Sequence, residues 1–357
     1  EGVTPVAFTV DTISPSSGEV KAKEVGEGTT SWEQTWNELL NKITFGIFKR
    51  VNLRYEAKGE DATSPLTYAY YVTNEINQLS EAALDDAEFV AEEPEVSPES
   101  RVVVYAKISD YAGNYIYRQS DGAILDTKKP IVTLTPAEAN ENGVYDGDVT
   151  VNVEVTDPGI YSGIKSVSYR VEKDGQPTQK GSLYSFEKTE ASYNELVPAL
   201  NSADANSELK QITVKAADNN SSDVKIFVTA VDNADNSSDS KESCISLDID
   251  ITSPTIEVSF GENEPVNGKY FRAARTATVT ITERSNHFDA EAATAALRAG
   301  ITAKNAAGAA VEDAYTINAS NDGSIWTTTK GATPDEDTHT ATITFGEDAN
   351  YSFKPAY

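Results

Sequence analysis

Val102–Asn114 reads VVVYAKISDYAGN and Val224–Asn236 reads VKIFVTAVDNADN. In each, apolar residues alternate with others and then give way to Asp, any residue, Ala, Gly or Asp, and Asn. A period of two places one set of side chains on a buried face and the other in water, the mark of a half-buried β-strand. The turn that follows has its own chemistry: Asp110 and Asp232 can accept from backbone N–H groups, and Gly113, Asn114 and Asn236 tolerate backbone angles that larger residues resist. These five residues are expected to be structural turn residues.

A second phrase recurs ahead of each strand set: Asp11–Pro15 (DTISP), Asp126–Pro130 (DTKKP) and Asp250–Pro254 (DITSP). The starts lie 115 and 124 residues apart, the length of one sandwich domain and too long for a solenoid repeat. The expected organisation is the final strand of a preceding repeat or a linker over residues 1–11, domain one over 12–126, domain two over 127–250 and domain three over 251–357. Carried forward, the spacing puts a third turn Asp close to the last residue, Tyr357, so the third domain is expected to be truncated at its C-terminus.

Within domain one, Ser31 and Gln34 form a capping-box pattern. Trp32, Trp36, Leu39, Leu40 and Ile43 then recur at helical spacing, predicting an inserted helix over about 32–43. Its polar face would carry Glu33, Asn37, Glu38 and Asn41, which are candidate partner contacts. Domain two contains the strictest alternation, Val149, Val151, Val153 and Val155 against Thr150, Asn152, Glu154 and Thr156, broken by Asp157, Pro158 and Gly159. Domain three alternates through Ala277, Val279 and Ile281, is expected to form a helix over about 289–298 closed by Gly300, and alternates again through Ala341, Ile343 and Phe345. Many short strands with Gly, Asn and Asp between them indicate an all-β fold of tandem sandwiches with short helical insertions.

Composition narrows the function classes. With 57 acidic and 29 basic residues the formal charge is −28, a field that repels phosphate backbones and anionic lipid and attracts cations. Nucleic acid and membrane insertion are therefore not expected. The one cysteine, Cys244, excludes an intrachain disulfide. The two histidines, His287 and His339, stand apart in the sequence, and no nucleophile elbow, P-loop or zinc-protease motif occurs, so no catalytic residues are assigned and no enzymatic activity is expected. No cofactor is expected either, with one alternative: Asp126, Asp248 and Asp250 lie at domain junctions, where carboxylates could hold Ca2+ and stiffen the hinge. Lys165 and Lys225 are candidates for stabilising isopeptide bonds if buried. Trp326, in Ser324–Thr329 (SIWTTT), is the candidate exposed aromatic anchor for a protein or sugar.

Thr35–Phe48 (TWNELLNKITFGIF), Val231–Asn236 (VDNADN), Val279–Phe288 (VTITERSNHF), His339–Phe345 (HTATITF) and the three Asp-to-Pro junctions together resemble the tandem bacterial immunoglobulin-like domains of Gram-positive cell-surface proteins. Two positions depart from that pattern: Asp235 stands where the turn usually has glycine, and domain three has no such turn. The resemblance implies monomeric immunoglobulin-like β-sandwiches displayed outside the cell, binding a host protein or glycoprotein, with immunoglobulin a named candidate. It is equally compatible with a passive stalk that presents another domain, and with a carbohydrate-binding module.

Overall fold

The computed structural model describes residues 6–25, 32–33, 45–75, 77–160, 162–185, 207–239, 243–319 and 323–357. The chain is all-β, built from sheets of the sandwich type that are antiparallel except where Phe45–Lys49 pairs parallel with Gly122–Leu125, with two short α-helices among the described residues. It divides into two compact units, one of Glu1–Ala139 and Val144–Ile249, the other of Asn140–Gly143 and Asp250–Tyr357.

The first unit holds two sandwiches. In one, Ser17–Glu24 pairs antiparallel with Leu53–Glu60, flanked by Trp32–Glu33 and Glu95–Val96. The opposing sheet runs Phe45–Lys49, Gly122–Leu125, Ser100–Asp110 and Leu66–Thr73, with Tyr115–Gln119 also paired to Ser100–Asp110. Alternate residues of both sheets, among them Val20, Leu53, Tyr55, Val104, Ile108 and Leu125, meet in one core. A five-residue helix, Glu81–Asp85, begins at Ser80, whose hydroxyl accepts from the Ala83 N–H. The helix expected from Trp32 onward does not begin there: Trp32 and Glu33 pair as strand with Lys23 and Ala22. Trp36, Asn37, Glu38 and Asn41 lie outside the described residues.

In the second sandwich, Val149–Thr156 sits between Ile131–Pro136 and Ser207–Val214, facing a sheet ordered Gln176–Ser185, Ile164–Lys173, Ser221–Asp232 and Cys244–Ile249. The exposure of Val149–Thr156 alternates strictly, with all four valines buried. They meet Val167, Val171, Ile212, Ile226 and Val228 from the other strands. Each such side chain contributes about 1.5–3 kcal/mol by leaving water, which is how sandwiches of this size hold together without a disulfide.

The second unit centres on a sheet ordered Thr255–Phe260, Arg275–Thr282, Thr338–Phe345 and Tyr315–Ile317, with Thr327–Thr329 also paired to Thr338–Phe345. A two-stranded ribbon joins Ile301–Lys304 to Asn350–Phe353. Between them lies the helix Ala290–Ala299, capped by the Asp289 carboxylate on the N–H groups of Glu291 and Ala292. Its Ala293 and Leu297 enter the core beside Ile281, Ile343 and Phe345.

If these cores carry the stability, deleting methyl groups from one should cost far more than trimming the wet face opposite. Ile226→Ala, at a fully buried position, is expected to lose about 2–5 kcal/mol in denaturant unfolding. Thr150→Ala, on the exposed face, should change stability by no more than about 0.5 kcal/mol.

Candidate cation site

Each of the three Asp-to-Pro aspartates begins its sandwich in the same way. Asp11 Oδ1 accepts from the Ile13 N–H, Asp126 Oδ1 from the Lys128 N–H and Asp250 Oδ1 from the Thr252 N–H, at 3.2, 2.9 and 2.8 Å. The repeated turn then folds back onto this starting point. Asn236 donates its backbone N–H and its side-chain amide to the two Asp232 oxygens, both at 2.8 Å, and the same amide reaches the Asp126 carbonyl at 2.9 Å. Asn114 repeats this wiring, with bonds to Asp110 at 2.9 and 2.7 Å and to the Asp11 carbonyl at 3.4 Å. Gly113 and Asp235 occupy equivalent turn positions with φ of 97° and 65°. The aspartate therefore accepts a left-handed conformation that glycine adopts freely.

This folding-back gathers acids. Asp126, Asp157 and Asp232 are all fully buried, and one carboxylate oxygen from each lies within 4.8 Å of the others. Backbone donors fix their orientation: the Ser162 N–H reaches Asp126 Oδ2 at 2.9 Å and the Gly163 N–H reaches Asp157 Oδ2 at 2.6 Å. Asp157 Oδ1 is buried without a hydrogen-bond partner. So is Asn233 Oδ1, while the Asn233 amide donates to the Ser162 and Gly163 carbonyls, both at 3.1 Å. Burial, and after it the charges of Asp126 and Asp232, pushes Asp157 up to about 8. Burial likewise takes Asp232 to about 6, against the opposing hydrogen bonds from Asn236. Asp126 is raised by burial and, in smaller part, by the nearby Glu99.

Two further clusters form among the described residues: Asp11, Asp61 and Asp110 in the first sandwich, and Asp250, Glu283 and His287 in the third, where a histidine stands in place of a turn aspartate. The pattern behind all three clusters is topological. Asp61, Asp157 and Glu283 each directly follow the strand paired with the first strand of their sandwich. None of the three is evident from motif matching, because the interval from the Asp-to-Pro aspartate differs in each sandwich. The Asp157-Pro158-Gly159 stretch, read above as a strand break, supplies the central carboxylate.

Other expected site residues fall elsewhere. Asp248 lies inside the strand Cys244–Ile249, its carbonyl accepting from the Tyr145 N–H, and belongs to none of these clusters. Asp126 and Asp250 sit in separate clusters rather than sharing one. Glu33 is a strand residue. Trp326 is not an exposed anchor: it is 7% exposed, packs edge-on to Phe288 at 5.2 Å between ring centres and donates its indole N–H to the Thr294 hydroxyl at 3.0 Å. The apolar contacts of the helix and the sheet outweigh the polar run of serine and threonine around it. His339 is buried and stacked on Phe288 at 3.8 Å. Lys165 and Lys225 pair with Asp235 and Asp223 at exposed positions, unlike the buried lysine that an isopeptide bond needs.

No protein family and no curated protein matches the chain. Among solved structures it is similar to a 1.5-MDa bacterial ice-binding adhesin (11% identity, 85% of this chain and 90% of that chain, TM-score 0.26). It is also similar to Escherichia coli alpha-2-macroglobulin (9% identity, 96% and 35%, TM-score 0.17). A third is SGBP-B of the Bacteroides ovatus mixed-linkage glucan utilization locus, solved in complex with a mixed-linkage heptasaccharide (8% identity, 93% and 97%, TM-score 0.16).

Two outcomes follow from this geometry. Trp326→Ala should behave as a core deletion, with a loss of about 3–5 kcal/mol in chemical denaturation. In cation-free buffer, the native state keeps protons on Asp157 and Asp232 that the unfolded chain releases near pH 4. Their contribution to stability is therefore complete below about pH 4 and is lost as pH rises through about 6 and about 8. Calorimetry should show the first unit melting progressively lower over that range, and Asp157→Asn should flatten the decline.

Proposed function

We propose that the chain is a non-enzymatic part of an extracellular bacterial surface protein, whose immunoglobulin-like modules present a fixed surface to a host protein or glycoprotein. The supporting observation is the bonded junction between the first two sandwiches. There the Asp126 N–H donates to the Lys49 carbonyl at 2.8 Å, the Thr127 N–H to Glu99 Oε1 at 3.0 Å and the Arg50 guanidinium to the Asp235 carbonyl at 3.2 Å. A junction tied at several points, on both of its sides, holds the loops and strand edges of two modules in one orientation. Preorganisation of this kind reduces the ordering cost that binding must overcome. A spacer needs only reach, which a polar linker provides.

The net charge of −28 favours partners with basic patches and makes association sensitive to salt. In this reading immunoglobulin, and host glycoproteins that carry basic patches, are the first partners to examine, and no cofactor takes part in the contact.

With the full chain immobilised, at least one of polyclonal immunoglobulin, mucin or purified epithelial glycoproteins is expected to bind at micromolar concentration or below, more weakly as salt is raised. Surface plasmon resonance measures this directly. If none of the three is retained at micromolar concentration, the chain is a spacer and the binding role is wrong. If retention survives on free glycans alone, the contact is with sugar rather than protein.

A further inference from the structure

The carboxylates of Asp126, Asp157 and Asp232 crowd together at the end of the second sandwich. Among the described residues no lysine, arginine or histidine pairs with any of them. Like charges brought this close in a dry environment repel strongly unless they take up protons or share a counter-ion. The backbone donors from Lys128, Ser162 and Gly163 do not remove the problem, since they are neutral and leave Asp157 Oδ1 without a partner. A fully buried carboxylate oxygen with nothing to accept from is costly, and native structures rarely retain one without a reason.

We propose that Asp126, Asp157 and Asp232 form a calcium-binding site, with Asn233 Oδ1 as a neutral oxygen ligand. The donor set consists of oxygen alone, which suits a hard cation and offers neither the imidazole nor the thiolate that zinc or copper would favour. Oxygens bound to one calcium at about 2.3–2.6 Å lie no more than about 5 Å apart, and one oxygen from each of the three carboxylates already lies within 4.8 Å of the others. Calcium accepts six to eight oxygens in irregular arrangements, so carbonyls and water can complete the shell, whereas magnesium demands a tighter octahedron. The two unpartnered buried oxygens, on Asp157 and Asn233, are the independent sign that the pocket lacks a positive ligand. They come from different loops, each fixed by bonds to the Ser162–Gly163 backbone. The site stands at the junction of two sandwiches and does not depend on what the modules bind.

The test uses the intact chain, freed of metal by chelator and returned to buffer at physiological salt. Titration calorimetry with calcium chloride should give one saturable high-affinity site. Calcium a hundred-fold above its dissociation constant should raise the melting midpoint of the first unit by several degrees, and magnesium should do so less. Asp157→Asn should abolish both the heat and the shift, and Asp232→Asn carries the same expectation should the first variant fold poorly. Glu138→Gln, which removes the same charge from an exposed position, should leave both intact and so separates the site from diffuse attraction to an acidic surface. Absence of saturable binding at millimolar calcium would overturn the proposal, as would a calcium shift that persists in Asp157→Asn or Asp232→Asn.

Discussion

Where a chain leaves one sandwich and enters the next, the strand ends expose backbone N–H groups that no ladder partner satisfies, and buried donors of this kind must be paired. This protein meets the need with short carboxylates. At the end of the second sandwich, Asp126 takes the N–H groups of Lys128 and Ser162, Asp157 that of Gly163, and Asp232 that of Asn236. Satisfying the backbone in this manner brings the acids to one point. The raised proton affinities of the cluster follow from that convergence, because every carboxylate added to order the loops also adds a charge that its neighbours must tolerate.

The three sandwiches handle the same crowding differently. In the first, Asp11 and Asp61 keep part of their surface in water, and Asp110 titrates below the usual carboxylate range. Burial works to raise it, but the hydrogen bonds from Asn114 and the turn N–H groups prevail. In the third, basic side chains are built in: His287 Nδ1 lies 2.6 Å from Asp250 Oδ2, and the Arg284 guanidinium, 2% exposed, stands 3.7 Å from the same oxygen while pairing with Asp335. Only in the second sandwich are the acids both fully buried and unmatched by a basic side chain among the described residues. Side chains of nearly identical sequence, Asp110 and Asp232, thus shift in opposite directions. Water and counter-charge around a motif decide its protonation, not the motif.

Much of the architecture can be read from the sequence because the relevant forces are local. The alternation from Val149 to Val155 gives the burial of that strand residue by residue, and Asp289 and Gly300 flank the third sandwich's helix as cap residues. The acid clusters resist such reading because their members come from three separate segments. Asp61, Asp157 and Glu283 share a structural position, immediately after a paired strand, yet the interval from the Asp-to-Pro aspartate differs in each sandwich. Trp326 misleads for a related reason. Its neighbours Ser324, Thr327, Thr328 and Thr329 suggest an exposed strand, but the ring is drawn inward by Phe288 and by Thr294 on a helix about 30 residues away in sequence. Only the tail of the third Asp-to-Pro cluster carries a local hint: Arg284 follows Glu283 directly, where Pro158 follows Asp157 and Ala62 follows Asp61.

Asp126 connects the electrostatics to the mechanics. Its side chain belongs to the carboxylate cluster, its N–H bonds to Lys49 in the first sandwich and its carbonyl accepts from Asn236 in the second. A change in the charge of the cluster therefore acts on the residue through which one sandwich passes into the other. The comparable bond in the first sandwich, from Asn114 to the Asp11 carbonyl, is longer, 3.4 against 2.9 Å, and two of the three acids of its cluster are only partly buried. Tight wiring and dry, unrelieved charge occur together because both result from the same closure of the loops around Ser162 and Gly163. The same residue that carries one of the three enclosed carboxylates thus also carries backbone bonds to both sandwiches, so the electrostatics of the cluster and the geometry of the junction share one residue.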